Sequence, residues 1–166
     1  MHALGVIILT ICPILIGLTY SITLTKNQRQ IGEIIQLINW IETEIRYKQT
    51  NLDQMLIEAS SKEAFSSLEF LSSAVEFMKI FPFPQAWKKS ISNWNSKMDT
   101  YDKQLLFSFA DILGASDVTG QLTALEHMRV RFQSSFNKAK ETCDKNGKLS
   151  KSLGVLAGLA ICVLML

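Results

Sequence analysis

The sequence predicts an all-α protein: an antiparallel bundle of about six helices, flanked by an N-terminal and a C-terminal transmembrane helix. Three observations carry this. All 32 formal charges, 17 basic and 15 acidic, fall between Lys26 and Lys151, so the first 25 residues and the last 15 carry none. Between those limits apolar residues recur at three- and four-residue steps, the period of a helix with one buried face. No run of alternating polar and apolar residues marks a strand. The chain therefore divides into a span over 3–25, a helical domain over 26–148 and a short second span over 149–166.

Hydrocarbon rejects charge, at about 2.5–3.5 kcal/mol per Lys, Arg or Asp at a helix centre. A helix from Ala3 to Thr25 reaches about 35 Å, enough to cross a core of about 30 Å with some tilt. A cleaved signal peptide is the competing reading, but only His2 precedes the apolar run and no small-x-small site follows it. Pro13 sits within the segment, where it can kink the helix. From Leu149, with Lys151 reaching to the interface, the second segment covers about 27 Å. Gly154 and Gly158 form a GxxxG face for close helix packing, with Gly5 or Gly17 as partners on the first span. Lys26 and Arg29 follow the first segment, and Lys145, Lys148 and Lys151 lie at the second. The positive-inside rule then puts the middle domain in the cytoplasm and both termini outside.

In the middle, Ile31, Ile34, Ile38, Ile41 and Ile45, widened by Ile35 and Leu37, predict a helix over 28–48. Thr50 or Asn51 caps a second helix, with Asp53 in its first turn and Leu52, Met55, Leu56 and Ala59 inward. A third over about 62–80 carries Phe65, Leu68, Leu71, Val75 and Met78. The Phe81-Pro82-Phe83-Pro84 stretch stops it, since each proline disfavours helix in the residue before it. Pro84 then opens a helix whose Trp87, Ile91 and Trp94 form one face. The next covers 101–113, with Leu105, Leu106, Phe109, Ile112 and Leu113 inward and Gly114 as the residue that ends it. Ser116 or Asp117 caps a long last helix on which Val118, Leu122, Leu125, Phe132, Phe136, Ala139 and Cys143 keep a seam. Arg129 completes that seam, either reaching past it to solvent or buried against an acid such as Glu42 or Glu44.

Chemistry-bearing constellations are few. The net charge of +2 does not point to nucleic acid. Two histidines, His2 and His127, stand far apart, and His127 reads as a surface residue. The three cysteines show no metal spacing. No HExxH, phosphate-binding glycine loop or GxSxG occurs. Glu42 and Glu44, two apart on a helix, cannot converge as an acid/base pair. An enzyme is not expected, and neither is a cofactor or a metal.

Two stretches carry a resemblance, Trp40-Ile41-Glu42-Thr43-Glu44-Ile45-Arg46-Tyr47 with Thr50-Asn51-Leu52, and Ala110-Asp111-Ile112-Leu113-Gly114-Ala115-Ser116-Asp117-Val118-Thr119-Gly120-Gln121-Leu122. With Leu153-Gly154-Val155-Leu156-Ala157-Gly158-Leu159 and the anchor–domain–anchor order, the chain resembles the stage III sporulation protein AB family of endospore-forming bacteria. The family usually has Leu-Glu where this chain has Ile41-Glu42, and commonly Thr-Pro at Thr50-Asn51. The resemblance implies a soluble part similar to the cytoplasmic domain of type II secretion F platform proteins. It also implies a place in the channel complex between mother cell and forespore, in the mother-cell membrane around the forespore. The implied role is a platform for the ATPase-like stage III sporulation protein AA, among other channel-complex membrane proteins, with a homo-oligomer also in view. The rival reading is a scaffold of a vegetative secretion or pilus machine, though a full secretion platform would be more than twice as long. Ser116, Asp117 and Gln121, with Glu42, Glu44 and Arg46, are the candidate partner-binding residues. Gly114 and Gly120 shape the corner between the last two helices.

Overall fold

The structure, a computed structural model, describes residues 2–48, 51–113, 118–147, 149, 150, 152, 153, 155–157 and 160, with side chains from residue 15 onward. Every regular element among them is helical. These are α1 (His2–Thr43), a π-helical turn (Glu44–Lys48), α2 (Leu52–Ser61), a 3₁₀ turn (Glu63–Phe65), α3 (Phe70–Met78), α4 (Phe83–Asn93), α5 (Thr100–Ile112), α6 (Val118–Thr142) and a second π turn (Cys143–Gly147). Two compact units result. One is Arg29–Phe136; the other joins Met1–Gln28 to Asn137–Leu166.

The Arg29–Phe136 unit is built on the isoleucine stripe. Ile31, Ile34, Leu37, Ile38 and Ile41 are buried as the period requires. At its Arg29 end, the Glu33 carboxylate accepts from Arg29 Nε (2.7 Å) and from the Ser67 backbone N–H (2.9 Å), while Arg29 also donates to Ser66 Oγ (3.0 Å). This contact replaces the single helix expected over 62–80. The chain turns through 3₁₀ geometry, leaves helix at Ser66–Ser67 and re-enters it at Phe70. Serine side chains compete with helical bonding, and the break turns both Phe65 and Phe70 into the core.

The core proper is aromatic. Trp87 stacks on Phe109 (centroids 5.0 Å apart, 16°) and meets Phe70 edge-on (5.1 Å, 86°). Its indole Nε1 donates to the Leu106 carbonyl at 2.8 Å, so the one polar atom of a fully buried ring is satisfied. Trp87, Ile91 and Trp94 face inward as their spacing predicts, and Pro84 sits in the first turn of α4. The cap of α5 is Asp99, whose carboxylate accepts from the Asp102 N–H at 2.8 Å. Asn51 stands at the start of α2 but makes no side-chain capping bond there.

On α6 the buried residues are Leu125, Met128 and Phe132: Leu125 and Phe132 belong to the expected seam and Met128 joins them, while Val118 is exposed and Leu122 half-buried. An inward face at three- and four-residue steps results. It lets α6 pass close to α1, where a Cβ on Gly32 would stand 3.2 Å from the Phe136 ring.

In the second unit several hydroxyls bond to their own helix backbone. Thr19, Thr23 and Thr25 donate to carbonyls three or four residues earlier, at 2.9–3.1 Å. Ser150 Oγ donates to Gly17 O at 3.3 Å, and Thr25 Oγ1 lies 3.6 Å from Cys143 Sγ. The close approach expected at Gly17 is thus made by Ser150; Gly154 and Gly158 lie outside the described residues. Among the described residues no helix is long and apolar enough to cross a membrane. The two expected spans fall largely on 3–14 and 151–166, most of which lie outside the described side chains.

Trp87→Phe should lower unfolding stability by about 1–3 kcal/mol, since it removes the indole donor and leaves a gap. A denaturant midpoint unchanged from wild type would contradict this role for the ring.

Candidate partner-docking site

The predicted acids stand two apart, Glu42 at the end of α1 and Glu44 at the start of the π turn, and face different ways. Glu44 is turned inward, with its side chain 2% exposed, and accepts from Lys48 at 2.8 Å. Glu42 stays at the surface and pairs with Arg46 at 2.9 Å. Each pair is four residues apart on one helix, where side chains meet most readily. Of the three residues expected to form one charged patch, Glu42 and Arg46 are displayed and Glu44 is not.

Across from them α6 presents Glu126 and Arg129. The Arg129 guanidinium is bonded to the Glu126 carboxylate through both Nε (3.1 Å) and an Nη. It is neither buried nor paired with Glu42 or Glu44, as one reading of the seam had it; its side chain is 39% exposed and its partner is on its own helix. The hydrogen bonds it donates to Glu126 are the main reason the guanidinium is raised above its ordinary value, and the charge of Glu42 adds to it. Glu42, Arg46, Glu126 and Arg129 therefore make an alternating patch shared by the end of α1, the π turn after it and α6. Alternation of this kind sets partner choice and register more than raw affinity.

Gly120 lies in the first turn of α6, half-buried, and Gln121 beside it is half-buried and already engaged. Gly114, Ser116 and Asp117 lie outside the described residues, so the corner motif has no described geometry.

Two clefts in the Arg29–Phe136 unit were not legible as sites in the sequence. One, of about 370 Å³, lies between α5 and α6 and includes Leu105, Ser108, Ile112, His127, Met128 and Arg131 in its lining. His127 is exposed at its edge, as a surface residue. The other, of about 220 Å³, lies between α2 and α3 and is lined by Asp53, Ile57, Val75, Met78 and Lys79. Helical periodicity alone assigns such half-buried apolar residues to the core. Among the described residues no group of three His, Cys, Asp or Glu side chains is placed to hold a metal ion.

Comparison with known proteins gives one consistent result. The family model described as stage III sporulation protein AB matches residues 2–166. The stage III sporulation protein AB of Bacillus subtilis (strain 168) is 23% identical over 168 residues, covering 98% of each chain. No solved structure matches.

The hydrogen bond from Arg129 holds the Glu126 carboxyl below the ordinary 4.5, against a smaller opposing effect of burial. A group lowered on folding stabilises above its unfolded value and loses that contribution as pH falls through the folded value. Replacing Glu126 by Gln should therefore lower the unfolding midpoint well above pH 4.5 and leave it unchanged once both carboxyl states are protonated. A wild-type-minus-variant difference that grows on acidification would contradict the pairing.

Proposed function

The chain belongs to the stage III sporulation protein AB family, and we propose that it is a non-enzymatic membrane platform in the channel complex between mother cell and forespore. The observation that carries the family is the match of its model to residues 2–166. A role in sporulation follows from membership. The finer parts of the proposal rest on the chain itself and on analogy, and fold alone does not establish function.

Membrane anchoring draws support from the charge distribution and from the unit that holds both chain ends. The first 25 residues and the last 15 lack charge. Leu15, Ile16, Leu18, Ile22, Leu149, Leu153, Val155 and Leu156 are all exposed. The threonine hydroxyls among them bond to their own helix, as hydrocarbon requires of any polar group it surrounds. With both ends anchored, the basic flanks orient the helical domain toward the cytoplasm. There it would hold the ATPase-like stage III sporulation protein AA against the membrane and pass on its movement. Its soluble part would resemble the cytoplasmic domain of type II secretion F platform proteins.

The alternating patch of Glu42, Arg46, Glu126 and Arg129, with Gln121 nearby in sequence, suits a protein partner. A folded Gln121→Ala variant should bind stage III sporulation protein AA more weakly than wild type, with a larger effect on binding than on thermal stability; equal binding would remove Gln121 from the interface.

Deletion of the gene separates the proposal from a vegetative scaffold. Arrest after engulfment with growth-phase secretion intact is the expected outcome. Normal spores together with a secretion or pilus defect would overturn it.

A further inference from the structure

The α3–α4 corner carries a surface that the family assignment does not explain. α2 returns the chain to the Arg29 end of its unit, where Ser66 and Ser67 meet Arg29 and Glu33. α3 then runs away from that end and finishes at Met78, so the corner over 79–82 lies at the opposite end of the unit. Ile80 projects there with 75% of its surface exposed, and Ile57 of α2 is 55% exposed nearby in the fold. Lys79, next to Ile80 in the chain, lines the 220 Å³ cleft with Asp53, Ile57, Val75 and Met78. Phe77 and Phe81 stand four residues apart with ring centroids at 6.4 Å.

The Lys89 ammonium lies over both rings, 4.3 Å from the Phe81 centroid and 5.3 Å from that of Phe77. Among the described residues no carboxylate is paired with this ammonium, which is held by ring faces instead. Lys79 meets Glu76 at only 3.6 Å, with both side chains largely exposed. The corner thus offers an isoleucine knob, an apolar slot, and two lysines with charge to spare for an acid. Buried apolar anchors ringed by charged groups are what protein interfaces are built on. An anionic lipid surface fits less well, because Asp53 and Glu76 stand on the same rim and would be driven against its negative potential.

We propose that the Ile80 corner is a docking surface for a helix of a partner protein, one that offers a socket for Ile80, an apolar side chain for the slot and an acid facing Lys79 and Lys89. Naming that partner as stage III sporulation protein AA rests on the docking role proposed above; the surface itself does not. It is distinct in sequence and in chemistry from the patch of Glu42, Arg46, Glu126 and Arg129.

The test uses the full chain in lipid nanodiscs and purified stage III sporulation protein AA. Ile80→Asp and Lys89→Glu should each weaken binding roughly tenfold or more. Tyr101→Asp, an exposed position on α5, should leave it unchanged. Wild-type affinity in both corner variants would overturn the surface while leaving the motor-docking role intact. Absence of binding by the unaltered chain would instead sink that role. The surface is then decided in sporulating cells that lack their own copy. Spore counts from Ile80→Asp should fall roughly tenfold or more at normal protein level, and wild-type counts would overturn it. A photocrosslinker at position 80 that labels phospholipid or a second copy of the chain would also overturn it.

Discussion

The placement of Trp87 is the constraint on which the helical unit depends. A buried ring of this size is costly when its N–H lacks an acceptor, and Trp87 finds one in the Leu106 carbonyl on α5 at 2.8 Å. That bond fixes the spacing of α4 against α5, and the stack on Phe109 fixes their rotation. Phe70, edge-on to Trp87 and tilted against Trp94 at 4.9 Å, then has to enter from α3. The interruption before α3 is the means by which it does so. Three helices are thereby locked by contacts centred on one side chain, and each aromatic pair adds about 0.5–1.5 kcal/mol beyond burial.

Around this core the polar groups act locally. Glu42 with Arg46, Glu44 with Lys48, Glu58 with Lys62 and Glu126 with Arg129 each join neighbours on one helix. Such pairs support the helix that bears them and do little to choose how helices assemble. Lys88 and Asp111 are an exception, spanning α4 and α5 at 2.7 Å on the outside of the tryptophan contact. Asp102 is another kind of exception: a buried carboxylate on α5 that accepts from Ser135 Oγ of α6 at 2.5 Å. Shape selects the packing, and a few such cross-links hold its register.

Much of this was legible in the sequence because it obeys one period. The isoleucine stripe of α1, the Trp87–Ile91–Trp94 face and the Pro84 start all follow from 3.6-residue spacing and proline geometry. Departures arise where a distant group outcompetes local preference. Residues 62–80 read as one helix until Glu33, more than thirty positions away, takes the Ser67 amide. On α6 Met128 joins Leu125 and Phe132 inside, while Val118 at the head of the expected seam is exposed. Glu44 was expected in the displayed set with Glu42, yet it follows Ile41 by three residues and Leu37 by seven, which puts it on the buried stripe. The Ile80 corner was invisible for a simpler reason: a pattern of apolar residues shows what could be buried, not what is left uncovered.

The turn at Ser66–Ser67 has an evolutionary side. Glu33 reaches a backbone amide there, while the Ser67 hydroxyl, though buried, has no partner among the described residues. Position 67 can then drift through any residue that fits and keeps its amide hydrogen, proline alone being barred on principle. Position 33 has no such latitude, for its carboxylate is what the turn is folded around. Homologues should therefore vary freely at the serine and hold the acid, so that the fixed letter marks one helix while the structure it secures lies on another.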